Sequence, residues 1–448
     1  MAEHDTGAAS MTTPGYPFDT SMPAVVLKLT PNVMHHGGLG VIRSLGRVGV
    51  PVYGVHEGPR VPVASSRYLA GRFFWQPDPA DVDRLTEGLV RLAGHIGRPA
   101  VLLATDDIGA LFLDEHGAEL RRWFLFPDPP AGLPRRVADK YSMYQMCREL
   151  NISCPAVRRP DSSDVAREFA SAVGYPVIAK LTSAWAASGH LPSTSIVHDN
   201  DELLNICQLC EQFGDELMLQ EFIPGGPGHD WFFHGYADAA SVCRPAFTGV
   251  KERSFPLGSG GTTFGRSMAN DKLRNEVTAL ITRLGYHGIL DLDIRLDARD
   301  GQYNLLDFNP RLGAQFRIFR DTAGIDVALA AYLDLTGQAI PVGEQLNERT
   351  FMVESYDLLG ALASWRRGEL RPRTWLSSLR NVDETAWFAR DDLRPFGLMC
   401  LRMAWKTASR PLPSRRGRAD TGAVSSFNFR YQAGRAVPGS GKGVGLGK

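Results

Sequence analysis

The sequence predicts a parallel α/β domain, then an antiparallel α+β domain, then a small C-terminal appendage. Three observations predict this. Residues 24–125 alternate short apolar runs with amphipathic helical segments, in units of about 30 residues, the pattern of a parallel sheet with helices on its faces. Beyond the proline-rich "PDPPAGLP" the chain instead strings strands with wet faces towards an Asp-Gly hairpin. The composition, 44% hydrophobic and 22% charged over 448 residues, is that of a folded globular chain.

The elements come in order. Residues 1–23, "MAEHDTGAASMTTPGYPFDTSMP", lack a basic n-region and an apolar h-region and read as a flexible leader. "AVVLKL" is the first strand, and "HHGGLGVIRSLGRVG" is a Gly-rich turn feeding a helix that stops at Gly49. "VPVYGV", the helical "ADVDRLTEGLVRLAGHI", the strand "PAVLLATDD" and "WFLFP" complete a first domain over 24–128. Ligands of such sheets collect at the carboxyl ends of the strands. That places the loop His35-His36-Gly37-Gly38 and the pair Asp106-Asp107 at a cleft mouth. Gly37, Gly38 and Gly40 do not form a GxGxxG fingerprint; a tight turn before a helix and a backbone cradle for an anion are both open. His35 and His36, being adjacent, are poorly placed to share a metal and read as loop residues without chemistry.

The second domain, 129–338, begins with the helix "DKYSMYQMCREL". The strands "GYPVIAKL" and "STSIVHD", the helix "NDELLNICQLCEQF" and the strand "ELMLQEFI" come next. "DWFFHGYAD" and "VCRPAFTGVKERSFP" lead to a glycine loop, "LGSGGTTF", and the helix "DKLRNEVTALITRLG" precedes the hairpin "ILDLDIRLDARDGQYNLLDFN". Cys207 and Cys210 make a CxxC without a second pair, and they fall on one helical face with Leu203, so two core thiols are expected rather than zinc. Residues 339–410 form the appendage. Residues 411–448 are a basic tail, expected to be disordered: from Lys406 onward the only acid is Asp420, and Gly, Ser and Pro abound.

Lys+Arg and Asp+Glu balance at 49 each, which argues against a nucleic-acid role for the molecule as a whole. No apolar run reaches the ~18 residues of a membrane span. Six cysteines in this length are no disulfide framework, and a cytoplasmic location is expected. Only eight of the basic residues are lysine. A lysine kept inside an arginine-rich chain is informative, because a compact ammonium suits a single phosphate oxygen.

The hairpin carries the chemistry. Asp291, Asp293 and Arg295 share one face of its first strand, opposite Leu292, Ile294 and Leu296. On the return strand Asp307 and Asn309 share a face, opposite Leu306 and Phe308. A register that pairs Asp293 with Asp307 also pairs Asp291 with Asn309. Carboxylates facing each other across strands repel, so the arrangement suits a hard cation; Mg²⁺ takes one or two carboxylates and completes its shell with water and phosphate. An exposed polar sheet face is the alternative. Lys180 closes an apolar strand, Glu221 closes another before a Gly/Pro turn, Asp230 comes nine residues later, and Lys251 and Arg253 alternate beside the glycine loop.

Lys140, "GYPVIAKL", "LQEFIPGG" and "DLDIRLDARDGQYNLLDFNPRLGAQF", in that order, resemble the ATP-grasp superfamily of carboxylate–amine ligases, and 24–128 resembles the pre-ATP-grasp domain of such enzymes. The resemblance spans about residues 24 to 335. It implies that Lys140 and Lys180 contact ATP phosphates. It further implies that Gln220, Glu221, Phe222 and Ile223 line the adenine pocket and that Asp230 takes the ribose hydroxyls. Lys251 or Arg253 would face the γ-phosphate, Asp293, Asp307 and Asn309 would hold Mg²⁺, and Arg311 would meet the substrate carboxylate or acyl phosphate. The lid expected between Lys180 and the next strand, residues 182–194, departs from the family in having one glycine and no lysine. The activity implied is ATP-dependent, ADP-forming joining of a small-molecule carboxylate to an amine, with amino acid or peptide substrates, and many such enzymes are homodimers. The rivals are a bicarbonate-using carboxylase component, against which the absence of a Met-Lys-Met biotin segment counts, and a nucleotide-binding regulatory module with a degenerate lid.

Overall fold

The computed structural model describes residues 17–75, 78–181, 191–192, 194–255, 260–380 and 382–408, the side chains of 407 and 408 excepted. Most of the leader, most of the 182–194 lid, part of the glycine loop and the basic tail lie outside the described residues. Among the described residues, those up to Val157 and from Gln220 to 408 form one compact unit, and Arg158–Leu219 form a second. The boundaries expected at 128 and 338 fall inside the first.

The first unit starts with β1 (Ala24–Leu27), α1 (Gly37–Arg47), β2 (Val52–His56), β3 (Leu69–Phe74), α2 (Val82–Ile96), β4 (Ala100–Ala104), α3 (Asp107–His116) and β5 (Phe124–Leu125). These five strands are all parallel, in the order β3-β2-β1-β4-β5. β1 is buried throughout because both faces of the sheet are covered. α2 and α3 pack on one face against Val25, Leu27 and Leu102. On the other, α1 shares a core with Phe232, Phe316 and Phe319. Gly40 has a packing reason: a Cβ there would lie 2.7 Å from the Phe316 ring. Asp106 caps α3 by accepting from Gly109 N at 2.9 Å, while its other oxygen accepts from Leu29 N at 2.8 Å.

Next in the chain come α4 (Leu133–Ala138) and α5 (Lys140–Glu149). The chain then runs through β6 (Val157–Arg158), α6 (Ser163–Val173), β7 (Val177–Leu181), β8 (Thr194–Val197), α7 (Asn200–Phe213) and β9 (Leu217–Glu221), of which Arg158–Leu219 belong to the second unit. Its sheet runs β6-β9-β7-β8. Cys210 is buried and Cys207 packs beside it against the Leu203 core, as expected of helix-core thiols; burial pushes the Cys210 thiol up to about 11.

The first unit resumes with β10 (Asp230–Ala237), β11 (Cys243–Phe255), β12 (Gly261–Ser267), α8 (Asp271–Leu284), β13 (Gly288–Leu296) and β14 (Tyr303–Asn309). The chain closes on α9 (Val327–Leu335), β15 (Thr350–Met352), α10 (Glu354–Arg366), α11 (Pro372–Ser378), β16 (Glu384–Thr385) and α12 (Arg394–Ala408). These strands form a second sheet, β14-β13-β10-β11-β12-β15-β16, antiparallel except at β15–β16. The appendage is thus continuous with that sheet. A buried pair also fastens it to α1: Arg43 Nε lies 3.1 Å from Asp392 Oδ2, and Arg43 Nη2 donates to the Trp387 carbonyl at 2.7 Å.

Candidate functional site

The hairpin has the expected register: Asp291 faces Asn309 and Asp293 faces Asp307. The register then shifts, and Leu305 rather than Leu306 lies opposite Ile294. Leu305 therefore takes the core position and Leu306 is only half-buried, which corrects the regular alternation read from the sequence. Lys251 Nζ reaches Asp293 Oδ1 at 3.3 Å. Burial alone would lower the affinity of Lys251 for its proton, but Asp293, Asp230 and Asp291 outweigh it and the net shift is upward. Asn309 Nδ2 donates to the Asp291 carbonyl at 3.1 Å, so the amide is anchored by its nitrogen and its Oδ1 is not used in that bond.

These donors fit Mg²⁺. Two carboxylates and an amide oxygen are hard ligands, and Mg²⁺ seldom takes more from a protein when phosphate and water supply the rest. Among the described residues no group of three or more His, Cys, Asp or Glu side chains forms a self-sufficient metal cage. A metal here would need its substrate.

Arg311 lies where the chain leaves β14. Its Nη1 donates to Asp291 Oδ2 at 2.6 Å and its Nε to Asp107 Oδ1 at 3.1 Å. Burial opposes its charge, but Asp107 and Asp291 more than compensate and hold the guanidinium protonated. Asp107 begins α3, so Arg311 ties the carboxyl end of β4 to the hairpin. Beneath this pair sits His234 of β10, fully buried, its Nε2 3.1 Å from Asp291 Oδ1 at an angle that makes no hydrogen bond. Burial lowers its pKa, with Asp291 and Asp293 opposing. Gly313 admits this packing, since a Cβ there would lie 2.3 Å from His234 Cε1 and 2.6 Å from the Asp291 carboxyl carbon.

His35 and His36 both hold a proton less readily than a free imidazole. Burial takes His35 well below its usual value, with His36, Arg311 and Lys28 adding, and burial takes His36 down to about 4.

A second grouping surrounds Gln220 and Glu221. The buried Gln220 has its Oε1 2.9 Å from the Tyr144 hydroxyl, which also lies 2.8 Å from the Leu306 carbonyl. Glu221 is engaged twice: Oε1 lies 2.6 Å from Arg299 Nη2, and Oε2 accepts from Ala156 N at 3.1 Å. Ile223 is buried and its carbonyl accepts from Arg295 Nε at 2.7 Å; the same guanidinium pairs with Asp230 and lies over the Phe222 ring. Lys140 is the first residue of α5, behind the Asp139 cap. Lys180 belongs to the second unit, opposite Thr194 on β8.

Arg253 is placed elsewhere. The β11 register shifts between Lys251 and Arg253, and the two cations go to different partners. Arg253 forms a two-pronged pair with Asp357 of α10, at 2.8 and 3.0 Å, and lies over the Phe264 ring. It is not beside the hairpin carboxylates.

Sequence reading gave no role to His234 or Tyr144; it placed Asp107 at a cleft mouth and Asp291 on the polar strand face but did not assign either as a partner of Arg311. Asp291 carried a signal, since it shares the polar strand face. His234 interrupts the apolar run "WFFHGY", a weaker one.

No protein-family model matches the chain. Over 230 residues it is 24% identical to the D-aspartate ligase of Enterococcus faecium, covering 48% of this chain and 53% of that protein, so the chain spans about half the length of this curated relative. Among solved structures it is similar to the biotin carboxylase domain of 2-oxoglutarate carboxylase from Hydrogenobacter thermophilus, a complex with MgADP, ADP and bicarbonate. The TM-score is 0.54 at 14% identity, over 73% of this chain and 72% of that one. It is similar also to carboxyaminoimidazole ribonucleotide synthase from Aspergillus clavatus, complexed with ATP: TM-score 0.54, 13% identity, 74% and 81% covered. The chain has the ATP-grasp fold. In ATP-grasp terms, its parallel sheet is the preceding α/β domain and its antiparallel sheet carries the hairpin site. No helix among the described residues is long and apolar enough to cross a membrane.

Proposed function

We propose that the chain is an ATP-dependent, ADP-forming ligase that joins a carboxylate to an amine, with amino acid or short peptide substrates, in the cytoplasm. The observation that carries this is the Arg311 network: a guanidinium held by Asp107 and Asp291, next to the Asp293–Asp307 pair. A cation fixed in that position is suited to receive a substrate carboxylate beside bound nucleotide.

In the reaction the substrate carboxylate oxygen attacks the γ-phosphorus of ATP and ADP leaves. The amine then adds to the acyl phosphate carbon, and phosphate departs with the C–O electron pair. Asp293, Asp307 and the Asn309 amide oxygen would hold Mg²⁺, which when bound supplies positive charge to phosphate oxygens. Lys251, kept protonated by its acidic neighbours, adds a cation on the same face. Lys140 and Lys180 would neutralise other phosphates. Gln220, Glu221, Phe222 and Ile223 would wall the adenine, and Asp230 would accept from the ribose hydroxyls. Arg311, already oriented, needs no reorganisation to meet the carboxylate. No protein nucleophile is required.

The experiment is phosphate release across pairs of amino acids, with hydroxylamine added to trap the acyl phosphate as a hydroxamate. Hydroxamate from one carboxylate substrate, and amide when its amine is added, is the expected result. Phosphate release with bicarbonate alone would instead favour the second reading, a carboxylase-type component, to which the biotin carboxylase likeness points. ATP binding without phosphate release on any pair would leave the regulatory module.

A further inference from the structure

Helix α10 is inside out compared with an ordinary surface helix, which buries its apolar stripe. Its buried positions are Ser355, Asp357, Gly360, Ala361 and Ser364, all small or polar. The reason lies beneath it: a Cβ on Gly360 would lie 3.2 Å from Thr263 Oγ1 and 3.3 Å from the Ser254 carbonyl oxygen, and Asp357 is needed for Arg253. Tyr356 and Leu359 are half-buried, but three large apolar side chains are turned outward. Leu358, Leu362 and Trp365, spaced i, i+4, i+7, are 59%, 37% and 54% exposed. α11 continues the surface, with no buried residue and with Leu376 54% exposed. Leu401 of α12 is 67% exposed.

The charge around this stripe is one-sided. Arg366, Arg367, Arg371, Arg373 and Arg380 are all exposed between residues 358 and 380, against Glu369 alone. The whole chain, by contrast, balances at 49 and 49. A second copy docking through the same patch would bring these arginines against their own images. Nucleic acid would engage the arginines and leave the leucines in water. Outward Leu and Trp bordered by arginines match one occupant on both counts, an anionic lipid surface, where apolar side chains enter the headgroup boundary and arginines pair with lipid phosphates.

We propose that α10 and the arginine-rich segment after it form a peripheral docking surface for an anionic membrane face.

The test is sedimentation of the full chain with vesicles of phosphatidylcholine, alone or mixed with phosphatidylglycerol. Partition onto the mixed vesicles only is expected. Combined Leu358→Ser, Leu362→Ser and Trp365→Ser should lower it by at least about tenfold, with an unchanged melting temperature. Arg366→Gln, Arg367→Gln, Arg371→Gln and Arg373→Gln should lower it by up to about fivefold per arginine. Both sets lie outside the proposed ligase machinery and should leave phosphate release in solution unchanged. A wild-type chain that ignores anionic vesicles overturns the proposal. It is equally overturned if the serine variant turns a vesicle-free dimer into a monomer, which would make a second copy the occupant. Arginine-dependent binding of RNA or DNA without vesicle binding overturns it as well.

Discussion

Arg311 and Arg253 present the same local picture, a buried guanidinium gripped by carboxylate, and do opposite things. Arg253 pairs with a single carboxylate, that of Asp357, one cation to one anion; its Nη1 donates to Ser378 Oγ at 3.1 Å, and Trp375 Nε1 donates to the same carboxylate at 2.9 Å. That region is closed, with its charge cancelled and its donors satisfied. Around Arg311 the acids outnumber the bases: Asp107, Asp291, Asp293 and Asp307 face Arg311 and Lys251, leaving two negative charges in excess. A pair that balances is a clamp. A cluster that does not balance has charge left to attract a cation, and this difference is why the proposed function uses Arg311 and not Arg253.

Removing charge from the two regions should break different properties. The largest effect is expected from Asp307→Ala, which takes a ligand from the unbalanced cluster: ADP formation should vanish while the melting temperature holds or rises, because a cross-strand repulsion goes with it. Turnover at the wild-type rate would sink the assignment. Arg253→Met should do the reverse. It strands Asp357 without its partner in a buried site, at about 3–5 kcal/mol of stability by urea titration, with the KM for ATP unchanged in the protein that remains folded. Arg311→Lys is intermediate. A lysine cannot span Asp107 and Asp291 in one plane, so turnover should fall about 100-fold with little loss of stability. If Arg253→Met lost turnover and Arg311→Lys did not, the contrast between clamp and site would be inverted.

Much of the unbalanced region was legible in sequence because it is local. The Asp-Gly turn fixes the hairpin, and period-two alternation then puts Asp291, Asp293, Asp307 and Asn309 on one face; the structure has that register. Alternation fails where a strand slips. Neither the shift beside Ile294 nor the one between Lys251 and Arg253 has a glycine or proline to announce it, and the second took Arg253 out of the site. Contacts across long separations were illegible for another reason. Arg311 meets Asp107 from 204 residues away, and only the docking of the parallel sheet against the hairpin decides that contact. The fold needed no such contact, since strand–helix alternation and strand succession are each written within a few tens of residues.

The same contrast of neighbours applies to two buried histidines, and gives the smallest effect. His56 has a buried Nε2 with no hydrogen-bond partner, and burial first, then Lys28 and Arg72, push it down to about 4. His234 is also lowered by burial, but Asp291 and Asp293 resist. A histidine depressed on folding takes up its proton more readily unfolded, so stability is complete above about pH 6.5 and is lost as pH falls towards the folded value. Between pH 6.5 and 5, His56 alone should cost roughly 2 kcal/mol. His56→Gln should therefore flatten the dependence of the urea midpoint on pH in that window, while His234→Gln should flatten it less, because the acids of the unbalanced cluster already shelter the protonated ring. Equal flattening by the two variants would mean that the excess negative charge around Arg311 is not felt at His234, and the clamp-and-site distinction would then stop at the arginines.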